Sequence, residues 1–369
     1  MTSRKVLVLA AVAVVVLIAA LLLSRPESAH ESKQAALYPQ LKSELNSVTA
    51  VRIFKAGDVR AVELMRDNDE WSVSEREGYP ADAGKIRKLL LALADAKTLE
   101  QKTSNPDNYA ALNVEDLSKP DAGGSRVEVA GVATPVDLII GKSSGVKGTY
   151  VRRASEPASW LIDQTLDASA QPSDWLRTSI VDVSADRIQS VTVTTEGARA
   201  YSAEKAARAD ADFKASLAVP KGKEIDKYAL NGFASALTSL TLSDVHSARD
   251  FENEKPAAHA TIRTFDGLVV DLDGWTRDGK HFVAAKTSYD EALAKRFHVD
   301  TKAPEKADAK VDNAEAAKPA PAASEDVAQK AKDLNARLTG WVFEISDYKY
   351  EAIFKPAASL LKDLPAKKK

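Results

Sequence analysis

The chain has 369 residues, 44% hydrophobic and 28% charged, with 51 basic and 53 acidic side chains and a formal net charge of -2. Its basic residues are scattered rather than striped along one face, so the balance excludes a polyanion-binding protein and no nucleic-acid partner is expected. With no cysteine, disulfides, a thiol nucleophile, a Cys-ligated metal and a lipid-modified N-terminal cysteine are excluded too.

The first predicted element is an unbroken apolar run from Val6 to Leu23, preceded by Arg4 and Lys5 and closed by Ser24-Arg25-Pro26. As a helix it spans about 27 Å, close to the hydrocarbon thickness of a bilayer. A secretory signal carries a shorter apolar stretch and a small-x-small cleavage site, which Leu21-Leu22-Leu23-Ser24 does not supply. Residues 1–26 therefore read as an uncleaved signal-anchor helix, with residues 6–23 in the inner membrane. The cationic start keeps the N-terminus in the cytoplasm, so the bulk of the chain is expected in the periplasm. Such a chain, lacking disulfides, rests on its core alone, which suits a bacterial envelope protein. Residues 27–45 form a juxtamembrane connection. The roughly 340 residues that follow the anchor exceed what one core usually holds, so two domains are expected.

Residues 46–185 read as a first α+β repeat. Val48 to Phe54 alternates as a half-buried strand, followed by strands at Ala61 to Met65 and Glu70 to Val73, with turns at Gly57-Asp58 and Asp67-Asn68-Asp69. The turn Gly78-Tyr79-Pro80-Ala81-Asp82 leads into a helix on which Ile86, Leu89, Leu90, Leu93 and Ala94 recur at helical spacing, with Asp82 as its expected N-cap and Tyr79 as an exposed side chain able to meet a partner. Strands follow at Arg126 to Val129, Val136 to Ile140 and Tyr150 to Arg153, and Trp175 leads a closing segment through Ile180 and Asp182.

Residues 186–369 read as the same plan written again. Ile188 to Thr194, Ala200 to Ser202 and the region of Phe213 supply strands, and Phe233, Leu237 and Leu240 a helix. Thr261 to Phe265, Val270 to Asp273 and His281 to Ala284 match the later strands of the first copy, and Trp341, Ile345 and Asp347 its closing segment. An Ala/Lys/Pro-rich stretch at 299–323 has almost no large apolar residue and reads as a flexible insertion. A helix from Ser324 to Leu338 follows, carrying Val327, Ala331 and Leu334 as its stripe. Lys367-Lys368-Lys369 reads as a solvated end. A repeat of this length is a domain duplication, not a solenoid unit. The expected fold is α+β: an N-terminal transmembrane helix, then two tandem, similar domains of antiparallel sheet with packed helices.

Few residues invite chemistry. Gly141-Lys142-Ser143-Ser144-Gly145 fits the Gly-x-Ser-x-Gly elbow, but Thr149-Tyr150-Val151 resumes a strand where the elbow needs a helix. A phosphate loop would need glycine where Val136 stands. Both readings yield to a hairpin loop. Asp266, Asp271, Asp273 and Asp278 cluster as calcium ligands do, yet their spacing is not that of a calcium loop, so solvated surface is expected. His30, His246, His259, His281 and His298 show no ligand spacing. Trp71, Trp160, Trp175, Trp275 and Trp341 sit in or beside strands, where packing is the expected role ahead of a carbohydrate platform. No catalytic, cofactor-binding or metal residue is assigned, and no cofactor is expected.

Trp71-Ser72-Val73, Gly78-Tyr79-Pro80-Ala81-Asp82 and Lys85 to Leu93 resemble the bacterial domain-of-unknown-function 4340 family. Asn105-Pro106-Asp107-Asn108-Tyr109-Ala110-Ala111-Leu112, Asp137 to Lys142 and Tyr150-Val151-Arg152 add to the likeness, which is good through about residue 185 and weaker beyond. The resemblance implies an exported, singly anchored Gram-negative protein associated with an ABC-type transport system similar to the gliding-motility type. It implies no catalytic residues. The expected role is thus a non-enzymatic periplasmic accessory or scaffold, with an ABC-type permease or other envelope protein as partner. A binding module for an envelope glycan or lipid is the alternative, and a hydrolase using Ser143 or the aspartates a more distant one.

Overall fold

The computed structural model describes residues 34–145, 148–297 and 327–364. The apolar run at 6–23, the insertion at 299–323, Ser324 and the lysine tail lie outside the described residues. Among the described residues no helix is long and apolar enough to cross a membrane. The fold is α+β, built on antiparallel sheets. The chain divides into two compact units, one of residues up to 71 with 83–171, the other of 72–82 with 172–369.

In the first unit α1 (Leu41–Glu44) precedes β1 (Ala50–Lys55), β2 (Val59–Asp67) and β3 (Glu70–Val73). The short β4 (Tyr79–Pro80) leads to α2 (Ala83–Asp95) and β5 (Thr98–Thr103). The meander β6 (Ser125–Ala130), β7 (Val136–Ser143), β8 (Thr149–Arg153) and β9 (Ser159–Ile162) follows. The nine-stranded sheet runs β4-β3-β2-β1-β6-β7-β8-β9-β5. Ile53 faces both Val62 and Val127, and Val127 faces Leu138, so one row of β-branched and leucine side chains is fully buried across four strands. Asn68 and Asp69 take φ of 46° and 70° at the β2–β3 turn, a left-handed pair that short polar side chains tolerate and two-residue hairpins require. α2 buries Ile86, Leu89, Leu90 and Leu93, leaving Lys85, Arg87 and Lys88 exposed, as its 3.6-residue pattern demands.

The second unit holds β10 (Ser179–Val181), β11 (Ile188–Thr195), β12 (Tyr201–Glu204), β13 (Lys214–Ser216) and β14 (Lys223–Ile225). Next come α3 (Lys227–Asn231), β15 (Leu240–Thr241), β16 (Asp244–Ser247), β17 (Ala258–Thr264), β18 (Leu268–Arg277) and β19 (Lys280–Tyr289). The last elements are α4 (Glu291–Arg296), α5 (Val327–Leu338), β20 (Trp341–Ile345), α6 (Asp347–Ile353) and β21 (Leu361–Asp363). Its main sheet runs β13-β12-β11-β17-β18-β19-β20-β16. From β3 onward, leaving aside the short β4, this is position by position the order of the first sheet. α5 and α6 both pack on β19, where the Thr287 hydroxyl donates to the Ala331 carbonyl at 2.7 Å.

Three expectations change. Phe233, Leu237 and Leu240 are all fully buried, but they do not share one helix. α3 ends at Asn231, a single 3-10 turn covers Gly232–Ser235, and Leu240 opens β15. Ser235 bonds back to the Gly232 carbonyl and Ser239 turns left-handed at φ 47°, which ends the helical run early. Second, residues 72–82 and 172–185 cluster with the second unit, whereas the sequence pattern assigns both to the first repeat. Third, Tyr79 is not exposed. Its accessibility is 0%, and its ring meets Trp341 and Phe343 edge-on at 5.1 and 6.1 Å.

The reason for the second and third changes is a small hairpin. Ser72 pairs with Pro80 and Val73 with Tyr79. The Tyr79 hydroxyl donates to the Arg177 carbonyl at 3.3 Å, and the Arg177 N–H returns a bond to Pro80 at 3.0 Å. Asp82 N–H donates to the Trp175 carbonyl at 2.7 Å. At the hairpin tip Arg76 forks onto Asp244, Nε to Oδ1 at 2.6 Å and Nη2 to Oδ2 at 2.8 Å.

Candidate functional site

The residues that the sequence marks for chemistry do not converge. β7 ends at Ser143 and β8 begins at Thr149, so the Gly141–Gly145 segment lies in a hairpin. The Ser143 hydroxyl donates to the Gly148 carbonyl at 3.4 Å. A Cβ at Gly141 would stand 2.2 Å from the Leu112 carbonyl oxygen, so close backbone approach, not catalysis, accounts for that glycine.

The aspartates have separate partners. Asp266 accepts from Arg187 Nε at 2.8 Å and Nη2 at 3.1 Å. Asp278 turns the chain between β18 and β19 at φ 52°. Asp271 and Asp273 stand on the solvent-facing side of β18, opposite Thr261 and His259 on β17. The Thr261 hydroxyl donates to Asp271 at 2.6 Å, and His259 Nδ1 lies 2.8 Å from Asp273. His259 Nε2 is 3.3 Å from the Thr261 oxygen. Asp273, His259 and Thr261 thus follow the order of a catalytic triad, but the hydroxyl proton points to Asp271 and not to the imidazole. The constellation is a cross-strand polar ladder. Among the described residues no group of His, Asp and Glu side chains is placed to hold a metal ion.

His246 sits edge-on to Phe282 at 5.4 Å, and His281 stacks on Tyr350 at 4.2 Å; His30 and His298 lie outside the described residues. Trp175 and Trp275 are buried, with Trp275 Nε1 donating to the Glu254 carbonyl at 3.0 Å. Trp71, Trp160 and Trp341 are half-buried. Among the described residues the exposed aromatics are tyrosines, Tyr228 at 89%, Tyr348 at 70% and Tyr289 at 39%.

Tyr348 lines a groove of about 550 Å³ in the second unit. One wall is α3 with the turn that follows it; the other is α6 and the Pro356–Ser359 segment. Lys355 Nζ donates to the Ala229 carbonyl at 2.8 Å and lies 5.0 Å from the centre of the Phe233 ring. Lys349 Nζ reaches the Ser235 and Thr238 carbonyls. The two ammonium groups satisfy backbone carbonyls at the ends of short helical turns and tie the walls together. Burial pushes both below the usual lysine range, opposed at Lys349 by the charge of Asp182. Gly232 leaves room for Lys355, since a Cβ there would stand 2.4 Å from Nζ.

The family model described as Domain of unknown function (DUF4340) matches residues 71–261, just over half of the chain. The protein belongs to this family. No curated protein and no solved structure matches it. The DUF4340 match opens within β3 and closes within β17, so it takes residues from both compact units. Of the groove, it holds the α3 wall and leaves the α6 wall outside. Sequence reasoning missed this groove because its walls lie more than 100 residues apart, and neither Tyr228 nor Tyr348 belongs to a recognisable motif.

A smaller pocket of about 340 Å³ lies in the first unit of this DUF4340 chain, lined by Leu37, Tyr38, Leu41, Pro135 and Arg153. Burial pushes the Tyr38 hydroxyl up to about 12, against the lowering effect of Arg153, whose guanidinium lies 5.5 Å from the ring centre.

Proposed function

We propose that this protein is a membrane-anchored periplasmic accessory or scaffold of an ABC-type transport system and carries out no catalysis. Its tether is the run from Val6 to Leu23, whose length matches a bilayer core and whose cationic flank orients it. The observation that carries the reading is the repeated strand order of the two sheets, which fits tandem duplication of one β-rich domain. Duplicated domains offer paired surfaces to a partner, and the polar ladders on these sheets resemble recognition surface more than reactive machinery.

Affinity purification of the full chain from solubilised membranes tests this, with a permease and an ATPase expected among the recovered proteins. Recovery of the chain alone, under conditions that keep known transporters intact, would count against it. Alkaline carbonate should leave the chain in the membrane fraction if residues 6–23 anchor it. A second reading, a binding module for an envelope glycan or lipid, is favoured by the exposed Tyr348 lining a groove.

A further inference from the structure

The groove between α3 and α6 has a chemistry of its own. Its lining includes Ala229, Gly232, Ala352 and Pro356, small or flat residues that offer little to a bulky aliphatic anchor. A protein partner gains most of its affinity from large side chains seated in deep apolar pockets, which this lining does not provide. A thin, flat ligand fits it better. Tyr348 lines the groove with 70% of its surface exposed, a face on which a ring can lie. Polar groups stand at intervals along the walls. Glu351 presents acceptors only, and the oxygens of Ser235 and Ser359 keep lone pairs after donating to backbone carbonyls.

Lys355 decides the charge of the ligand. Its ammonium uses one of three N–H groups on the neutral Ala229 carbonyl, and burial acts on it with no carboxylate to offset the loss of water. An incoming anion would supply that missing partner. Acceptors along the wall, an aromatic face and one uncompensated cation together describe the recognition of a sugar acid: hydroxyls to Glu351, ring face to Tyr348, carboxylate to Lys355.

We propose that this groove binds a saccharide through a carboxylate-bearing sugar unit. The inference rests on the glycan-binding reading and is independent of the tether and of any transporter, so failure of either leaves the other standing.

The test is saturation-transfer NMR and titration of the full-length chain with three probes: trigalacturonate, its methyl ester, and the disaccharide of N-acetylglucosamine and N-acetylmuramic acid. The expected result is binding of at least one carboxylated probe, with the uncharged ester about tenfold weaker than trigalacturonate if that is the one bound. Tyr348→Ala should weaken the carboxylated probe by about tenfold while leaving thermal unfolding unchanged, since the side chain is largely in solvent. Lys355→Met should weaken the bound carboxylated probe to a similar degree, and Lys355→Arg, which keeps the charge, should restore binding. No saturation transfer with either carboxylated probe at millimolar concentration would overturn the proposal. So would binding that both Tyr348→Ala and Lys355→Met leave intact.

Discussion

Arg76 and Asp244 show how much one pair can contribute when it is planar, two-pronged and only about a quarter exposed, with side-chain accessibilities of 26% and 22%. Burial works to raise the Asp244 carboxyl, but hydrogen bonds from Arg76 and the Val245 N–H, with the Arg76 charge, outweigh it and hold it below the usual carboxylate range. A carboxyl so lowered stabilises the fold fully above its unfolded value of about 3.9 and loses that contribution as pH falls through the folded value. Asp244→Asn should therefore cost about 1–2 kcal/mol at pH 7 and progressively less as the pH falls below about 3.9 and through the lowered folded value. Urea denaturation at pH 7 and along that acid limb checks this; a loss that does not change with pH would refute the assignment. No pattern in the chain marks the pair, because its members are separated by 168 positions. His259 and Asp273, only 14 apart on adjoining strands, were nearer to legible: the sequence showed the aspartates on one face but not which side chains would oppose them.

At the scale of the element, the hairpin joining β3 to β4 is held by its buried ring. Tyr79→Ala should cost about 3–5 kcal/mol by opening a cavity against Trp341 and Phe343. Tyr79→Phe, which removes only the bond to the Arg177 carbonyl, should cost about 1 kcal/mol. Thermal or urea unfolding separates the two, and near-equal losses would mean that the hydroxyl, not the ring, carries the contact. β1 and β6 were readable from their alternation, and β7 and β11 from their β-branched and aliphatic content, although β7 buries three consecutive residues and β11 four. β5 and β16 were not. Thr98-Leu99-Glu100-Gln101-Lys102-Thr103 is mostly exposed, and Asp244-Val245-His246-Ser247 buries one residue, as edge strands do. The Phe233–Leu240 helix misled for a different reason: burial at helical spacing does not require one continuous helix when a turn and a strand bring the same residues inward.

For the whole molecule, the exchange of residues 72–82 predicts how the second unit folds. A fragment of residues 172–369 lacks Tyr79 and Arg76 and leaves Trp341, Phe343 and Asp244 without their hairpin partners. It should bind a hydrophobic dye and unfold with reduced cooperativity, and a peptide of residues 72–82 added in excess should restore a sharper transition. A fragment that unfolds sharply without the peptide would show the hairpin to be dispensable. The α+β class and the strand periodicity were legible from sequence. The hairpin's destination was not, since it depends on partners that lie about 100 to 270 residues further along the chain.

The limits of the DUF4340 match carry one consequence for dividing the chain. Residues 71–261 include β6 but not its neighbour β1, and the opening residues of β17, Ala258 to Thr261, but not its neighbour β18. The matched stretch, cut out by itself, is therefore expected not to fold. Cut at those limits, the polypeptide would bare two ladders, one beside Val127 and Val129 and one beside Ala258 and Ala260, each ready to zip onto another copy. The limits of the family match and the limits of the compact units are out of phase in this protein, and the strands flanking the match are the ones that cover its edges.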